Sequence, residues 1–306
     1  MILFTYPEQG NSEELFLLCP DNEEGRLAKS LIEDLLSLED EEVDIAVCFC
    51  YGTFLVRRFF EEYEFTYPLA LSEEADVETA LCAVEEYCKR HELPLIFADL
   101  SEKELSLLSR RYRFVRTEEF DISEDEAGTE WIYRMRVLTP CELLEVPPSL
   151  NDGDLVLDAL CEEDIPSYAT LCRDEEILSV WGVDYRDVAP DMTDRDFYES
   201  TLDEFDRGIA LTLAVRVSGR LVGEVALYAF DGRGGAEFSI RLLRGYRRNG
   251  YAKRALALLF TLAEELGLSF VDGICLCENL PSKALMEGCM TLEEETPTML
   301  RYRKRL

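Results

Sequence analysis

A chain of 306 residues, 47% hydrophobic and 31% charged, has the length of about two domains and enough apolar residues for sizeable cores. It is not a disordered, collagen-like or disulfide-held mini-protein. Its 64 acidic residues against 31 basic ones give a net charge of −33, a sign that opposes nucleic acid and anionic membranes alike. That charge serves solubility, or it attracts a cationic substrate such as an amine.

The opening residues Met1 to Glu8 lack a basic stretch and a small-residue cleavage site, so they read as a first strand and not as a signal peptide. No apolar run approaches the roughly 18 residues of a membrane span. Ile45 to Cys50 and Pro94 to Ala98 read as short buried strands. Between them, Val77, Ala80, Leu81, Val84 and Cys88 recur at helical spacing, and His91 closes that helix in a structural role. Leu105 to Leu108 predicts another helix and Trp131 to Met135 another strand. Residues 1–138 therefore read as an α/β domain. Only four of the 17 glycines fall before residue 150, so the domain has poor means to cradle a phosphate.

The breakers Pro140, Pro147, Pro148 and Gly153 mark residues 139–153 as a linker. The second domain, 154–306, opens on a strand from Leu155 to Leu160. Glu162 to Pro166 then starts a helix, and Thr193 with Asp196 forms a capping box for a further helix through Phe205. Strands follow at Ala210 to Val217, Leu221 to Phe230 and Ala236 to Leu243. The glycines at 232, 234 and 235 sit between two strands and open no helix, so they form a hairpin turn and not a nucleotide loop. The 11 cysteines include no C-x-x-C pair, which suggests reduced core thiols in a cytoplasmic protein. One histidine in the whole chain removes His-based zinc sites and the Ser-His-Asp mechanism, and no metal is expected.

The informative stretch is 241–255, where a strand gives way to a helix that runs to about Leu266 and ends at Gly267. Arg247, Arg248, Lys253 and Arg254 crowd the start of this helix, against the macrodipole rule. The conflict is resolved if an anion binds the free amides there, with Gly250 permitting close approach. About one residue in five of the chain is acidic, yet none occurs from Phe238 to Ala263.

Arg247-x-x-Gly250-x-Ala252 resembles the acyl-CoA loop of the GCN5-related N-acetyltransferases, and Ala236 to Leu256 is similar to the fourth strand, pyrophosphate loop and third helix of that family. Asn279-Leu280-Pro281-Ser282 resembles the Asn-x-x-Ser segment after its fifth strand. The likeness spans roughly 151–306 and is closest to the ribosomal-protein alanine acetyltransferase type, which is bacterial. Residues 1–138 also resemble part of the acyltransferase domain of phosphatidylglycerol lysyltransferases, as a degenerate acetyltransferase-like domain. A transfer of aminoacyl groups to lipid would need a basic tRNA-binding face, and the chain has none.

The resemblance implies an α/β fold with a mixed, mostly antiparallel sheet in the second domain. It implies acetyl-CoA as cosubstrate and direct acetyl transfer to a primary amine, either a small molecule or a peptide N-terminus. Backbone of Leu242 and Leu243 would meet the pantetheine arm, the amides of Arg248, Asn249, Gly250, Tyr251, Ala252 and Lys253 the pyrophosphate, and Asn279 and Ser282 the far wall. Glu237, on one face with Ser239 and Arg241, is the candidate base; its other reading is a surface carboxylate paired with Arg241. Where the family often carries a tyrosine that protonates the leaving thiolate stands Met286, leaving Ser282, Cys277 or water as candidates, or a thiolate that departs unassisted. The alternative is a non-catalytic acyl-CoA-binding module. Glu287-Gly288-Cys289-Met290 departs from the family's closing Gly-Phe or Gly-Met, so the end of that helix is expected to be distorted.

Overall fold

The computed structural model describes the strand segments at 4–5, 46–49, 53–59 and 62–66, isolated helical positions within 78–89, and residues 92–121, 131–181 and 191–306. His91 and Cys50 lie outside the described residues. The chain divides into two units, Met1–Leu138 and Thr139–Leu306.

The first unit has a seven-stranded sheet ordered β1-β2-β3-β4-β5-β7-β6. Its strands are β1 (Phe4–Thr5), β2 (Ala46–Phe49), β3 (Thr53–Phe59), β4 (Glu62–Thr66), β5 (Leu95–Leu100), β6 (Val115–Asp121) and β7 (Trp131–Val137). Every described position within 78–89 is helical, and Leu81, Val84 and Cys88 are buried, as their spacing requires. Helix α1 (Glu102–Arg111) begins at a Ser101–Glu104 capping box, with arginines in its last turn that suit the negative end of its dipole. These helical residues pack with Phe97, Leu100, Met135 and Val137 into one core.

The second unit has an eight-stranded sheet ordered β14-β15-β13-β12-β11-β10-β9-β8. Here the strands are β8 (Leu150–Asp152), β9 (Leu155–Asp158), β10 (Ala210–Val217), β11 (Arg220–Tyr228), β12 (Gly235–Leu242), β13 (Phe270–Leu276), β14 (Thr291–Glu295) and β15 (Met299–Arg305). Residues 139–153, expected as a linker, are part of this unit. Cys141–Leu143 forms a 3-10 turn, and Leu150 to Asp152 pairs with Leu157 to Leu155 as an edge strand. The prolines punctuate 140–148, and an edge strand then needs only one hydrogen-bonding neighbour.

Among the described residues five helices accompany this sheet: α2 (Ile165–Cys172), α3 (Glu175–Trp181), α4 (Asp194–Asp206), α5 (Tyr251–Glu265) and α6 (Leu280–Glu287). The Thr193–Asp196 box caps α4 as read from the residues, and Pro166 sits in the first turn of α2. Asp231 Oδ1 accepts from the amides of Arg233 and Gly235, which makes the glycine cluster a hairpin turn between β11 and β12. Helix α5 buries Ala255, Leu256, Leu259, Phe260, Leu262 and Ala263, while Ala252, expected on the buried face, is only half-buried. The larger of these side chains contribute about 1.5–3 kcal/mol each on burial. Gly267 ends the helix with φ +82°, and Leu268 N–H bonds to Ala263 C=O at 2.9 Å.

The two sheets repeat one topology. Each has antiparallel strands in sequence, four in the first sheet and five in the second, then a parallel step across a helix, then two strands of which the last inserts beside the parallel one. They differ at the parallel step. Strand β4 is still paired at its last residues, Phe65 with Phe97 and Thr66 with Ala98. Strand β12 pairs with β13 only at its start, through Gly235, Ala236 and Glu237, and the strands then separate.

Candidate functional site

The separation of β12 from β13 creates the site. Beyond Glu237, β12 continues for five residues to Leu242 while remaining paired to β11 on its other edge. At about 3.4 Å per residue the open edge is roughly 17 Å long. Leu243 N–H bonds to Val222 C=O on the β11 side, so by antiparallel alternation the peptide groups of Ile240 and Leu242 face the gap. Leu243 is not available there, because its C=O accepts from Tyr246 N–H at 2.9 Å, and Leu242 C=O accepts from Arg247 Nε at 2.8 Å.

The chain leaves β12 through a 3-10 turn at Arg244–Tyr246 and enters α5. Arg248 and Gly250 both hold positive φ, +64° and +83°, which turns successive amides to one side. No side chain caps α5. A Cβ placed on Gly250 would meet nothing within 4 Å. The helix thus begins with unsatisfied amides facing open space, the arrangement that binds an anion.

The four cations expected around this end divide into two pairs. Arg247 is turned into the protein, with Nη2 2.6 Å from Asp174 Oδ2 and Nη1 2.9 Å from Glu176 Oε2. Arg254 bridges Asp152 and Asp154 at 2.7 and 2.9 Å. The charge these two arginines were expected to lend the site is therefore neutralised by acids 71 to 102 positions away in sequence. Arg248 and Lys253 are exposed and have no ion-pair partner among the described residues. They are the cations left for an incoming anion.

Glu237 sits at the last paired position before the strands part, opposite Tyr228 on β11 and Asp272 on β13. Burial, then the Glu237 charge, pushes the Tyr228 phenol up to about 12. Arg241 is not a partner for Glu237. It is 5% exposed, faces Glu224 across the β11–β12 ladder, and donates from Nε at 2.5 Å. Tyr168 and Cys172 of α2 complete this buried cluster, with burial and Glu224 holding the Tyr168 phenol far above its ordinary range. Asp272 is likewise buried and held by Arg303 through two bonds of 2.7 Å. Glu237 is thus the half-exposed acid on a sheet face where the two neighbouring carboxylates are buried and paired with arginine.

The opposite wall follows β13. Asn279 is the N-cap of α6, with Oδ1 accepting Ser282 N–H at 3.2 Å, so its carbonyl is engaged in shaping this wall. Met286 is buried, and a Cβ on Gly273 would lie 3.1 Å from its Cε and 2.4 Å from Phe238 Cε1. Cys277 Sγ lies 3.5 Å from Thr296 C=O. The end of α6 carries no left-handed residue. Gly288 stays right-handed, and the Cys289 thiol donates to Leu285 C=O at 3.3 Å. Reading the residues alone missed Tyr228 and Asp174, because neither belongs to a motif and only strand pairing and helix docking bring them in.

Residues 154–289 match the family model described as an acetyltransferase (GNAT) domain. No curated protein matches the chain in sequence. Among solved structures, the ribosomal L7/L12 α-N-protein acetyltransferase RimL bound to coenzyme A is 17% identical, covering 53% of this chain and 98% of its own with a TM-score of 0.45. Spermidine N-acetyltransferase from Vibrio cholerae, with CoA and spermine, is 19% identical over 50% of this chain and 96% of its own, at a TM-score of 0.43. RimJ from Mycobacterium smegmatis is 16% identical over 49% and 81%, also at 0.43. The parted strands and the uncapped helix both lie within residues 154–289, the stretch that matches the acetyltransferase (GNAT) domain.

Proposed function

We propose that the second unit is an acetyl-CoA-dependent N-acetyltransferase that moves the acetyl group to a primary amine by direct attack in a ternary complex. The observation that carries this reading is the gap between β12 and β13 leading to the uncapped start of α5. The gap is long enough for an extended pantetheine arm, and Ile240 offers it both N–H and C=O while Leu242 offers its N–H. The amides from Arg248 to Lys253, with the Arg248 and Lys253 side chains, would hold the pyrophosphate. Asn279 and Ser282 form the wall across from it.

Glu237 is the candidate base. A protonated amine cannot attack a thioester, and a carboxylate at the vertex of the gap would take that proton, directly or through water. Tyr228 lies opposite on the ladder and, with its phenol protonated up to about pH 12, would orient the carboxylate. Placement of the two reactants side by side supplies much of the rate in such a reaction. The acceptor class that suits an acidic chain is a cationic amine, such as a polyamine, an amino sugar or a basic peptide N-terminus. A cytoplasmic location accords with free cysteines, eight of which are described.

One observation favours a second reading, a coenzyme-binding module without turnover. Met286 stands in the place of the family's proton-donating tyrosine, buried with its Cε beside Gly273, so that position supplies no phenol to the thiol. Thiol release from acetyl-CoA with a panel of polyamines, amino sugars and peptides separates the two. Release with at least one amine supports transfer, whereas tight binding without release on every amine supports the module.

In the first unit we read the same topology without the gap. Strand β4 is paired to its end, and residues 67–77, which follow it, contain three acids and neither glycine nor a basic residue. Acids in that stretch of sequence would repel a pyrophosphate, so one coenzyme per chain is expected.

A further inference from the structure

We infer that Asp174 is a positioning residue that locks the coenzyme loop to the helices covering the acceptor face, so that coenzyme binding and ordering of that cover are coupled; this rests on the coenzyme site proposed above. Asp174 stands at the corner between α2 and α3 and uses its two oxygens differently. Oδ1 accepts the amides of Glu176 at 3.0 Å and Ile177 at 3.3 Å, which caps α3. Oδ2 takes the Arg247 guanidinium at 2.6 Å, and the pair is largely shielded, 18% and 25% exposed. The same guanidinium reaches Leu242 C=O through Nε. One planar fork therefore joins the end of β12, the first residue of the coenzyme loop and the start of α3.

The cover extends from that corner. Arg173, the preceding residue, donates to Met192 C=O at 3.0 Å, pairs with Asp194 at the start of α4, and lies 4.8 Å from the Phe197 ring centroid. Tyr168, Cys172, Ile177 and Phe197 share one core, and Tyr168 and Cys172 lie against Glu224 and Arg241 on the sheet face that carries Glu237. Two adjacent side chains, Arg173 and Asp174, thus tie α2, α3 and α4 to the loop that would hold the pyrophosphate. A displacement of that loop is transmitted to the acceptor side through charge-assisted bonds and not through a flexible linker.

Asp174→Asn tests this without disturbing the cap, since asparagine caps a helix as well as aspartate does but cannot neutralise Arg247. With the full chain and coenzyme A as probe, calorimetry should show about tenfold weaker binding in Asp174→Asn and in Arg247→Gln. Hydrogen exchange gives the readout that a purely structural role would not move. Coenzyme A should slow exchange at the 175–178 amides in the wild-type chain and fail to do so in either variant. Binding within twofold of wild type, with the same coenzyme-induced protection, would overturn the coupling alone. Absence of coenzyme A binding by the wild-type chain would overturn the coupling together with the reading beneath it.

Discussion

Replacement of Gly250 by aspartate separates the proposed anion site from the stability of the fold. The added Cβ meets no atom within 4 Å, so there is no steric conflict. The backbone there has φ +83°, which costs a residue with a Cβ roughly 1–2 kcal/mol, less for aspartate, which tolerates the left-handed region. A Tm lowered by a few degrees is the expected structural cost. The effect on coenzyme is of a different size. A carboxylate about 4 Å from a diphosphate is repelled by about 4 kcal/mol per unit charge at a near-surface dielectric, or roughly a thousandfold in Kd. Gly250→Asn carries the same shape without charge and should bind acetyl-CoA within about tenfold of wild type. Calorimetric titration of the three proteins at one salt concentration, with thermal melts alongside, makes the comparison. Equal affinity for Gly250→Asp and wild type would remove this loop from the site, and equal loss in both variants would show that shape, not charge, is what the site reads.

Glu237→Gln should lower kcat and leave the KM for acetyl-CoA nearly unchanged; a kcat and pH–rate profile like wild type would discard Glu237 as base. Tyr228→Phe should shift that profile while a Tm close to wild type shows the fold intact, and an unmoved profile would remove Tyr228 from the orientation of Glu237. Arg241→Met should cost about 3–5 kcal/mol in urea unfolding, since it strands the Glu224 carboxylate in the core beneath α2; a loss under 1 kcal/mol would mean that the carboxylate finds another partner. Alkali should destabilise the protein. Burial holds Cys172 at about 11 and Cys141 at about 12, above the ordinary thiol value near 9. The folded state therefore keeps protons that the unfolded chain has lost, and stability present below pH 9 falls as pH rises toward 12. A urea midpoint flat between pH 8 and 11 would contradict this.

Local order was legible because its causes are local. The capping box at Thr193, the proline opening α2, the glycine ending α5 and the hairpin at Asp231 each satisfy backbone groups within a few residues, and periodicity alone marks the buried stripe of α5. The candidate anion site could be proposed for the same reason, since glycine, basic residues and absent acids are contiguous from 238 to 263. Partnership across the sheet was not. Four arginines and lysines at one helix end looked alike in one dimension, yet Arg247 and Arg254 found acids on α3 and beside β8 while Arg248 and Lys253 stayed in solvent. Arg241 could be placed on the face of Glu237 by alternation, but Glu224 claims it, because only strand register decides which residue lies opposite. Likewise the composition of 139–153 pointed to a linker, and an edge strand was made of its end only when β9 lay alongside. Charge and spacing are written along the chain; which charge meets which, and where two strands part, are settled by packing at distances along the sequence that no local pattern spans.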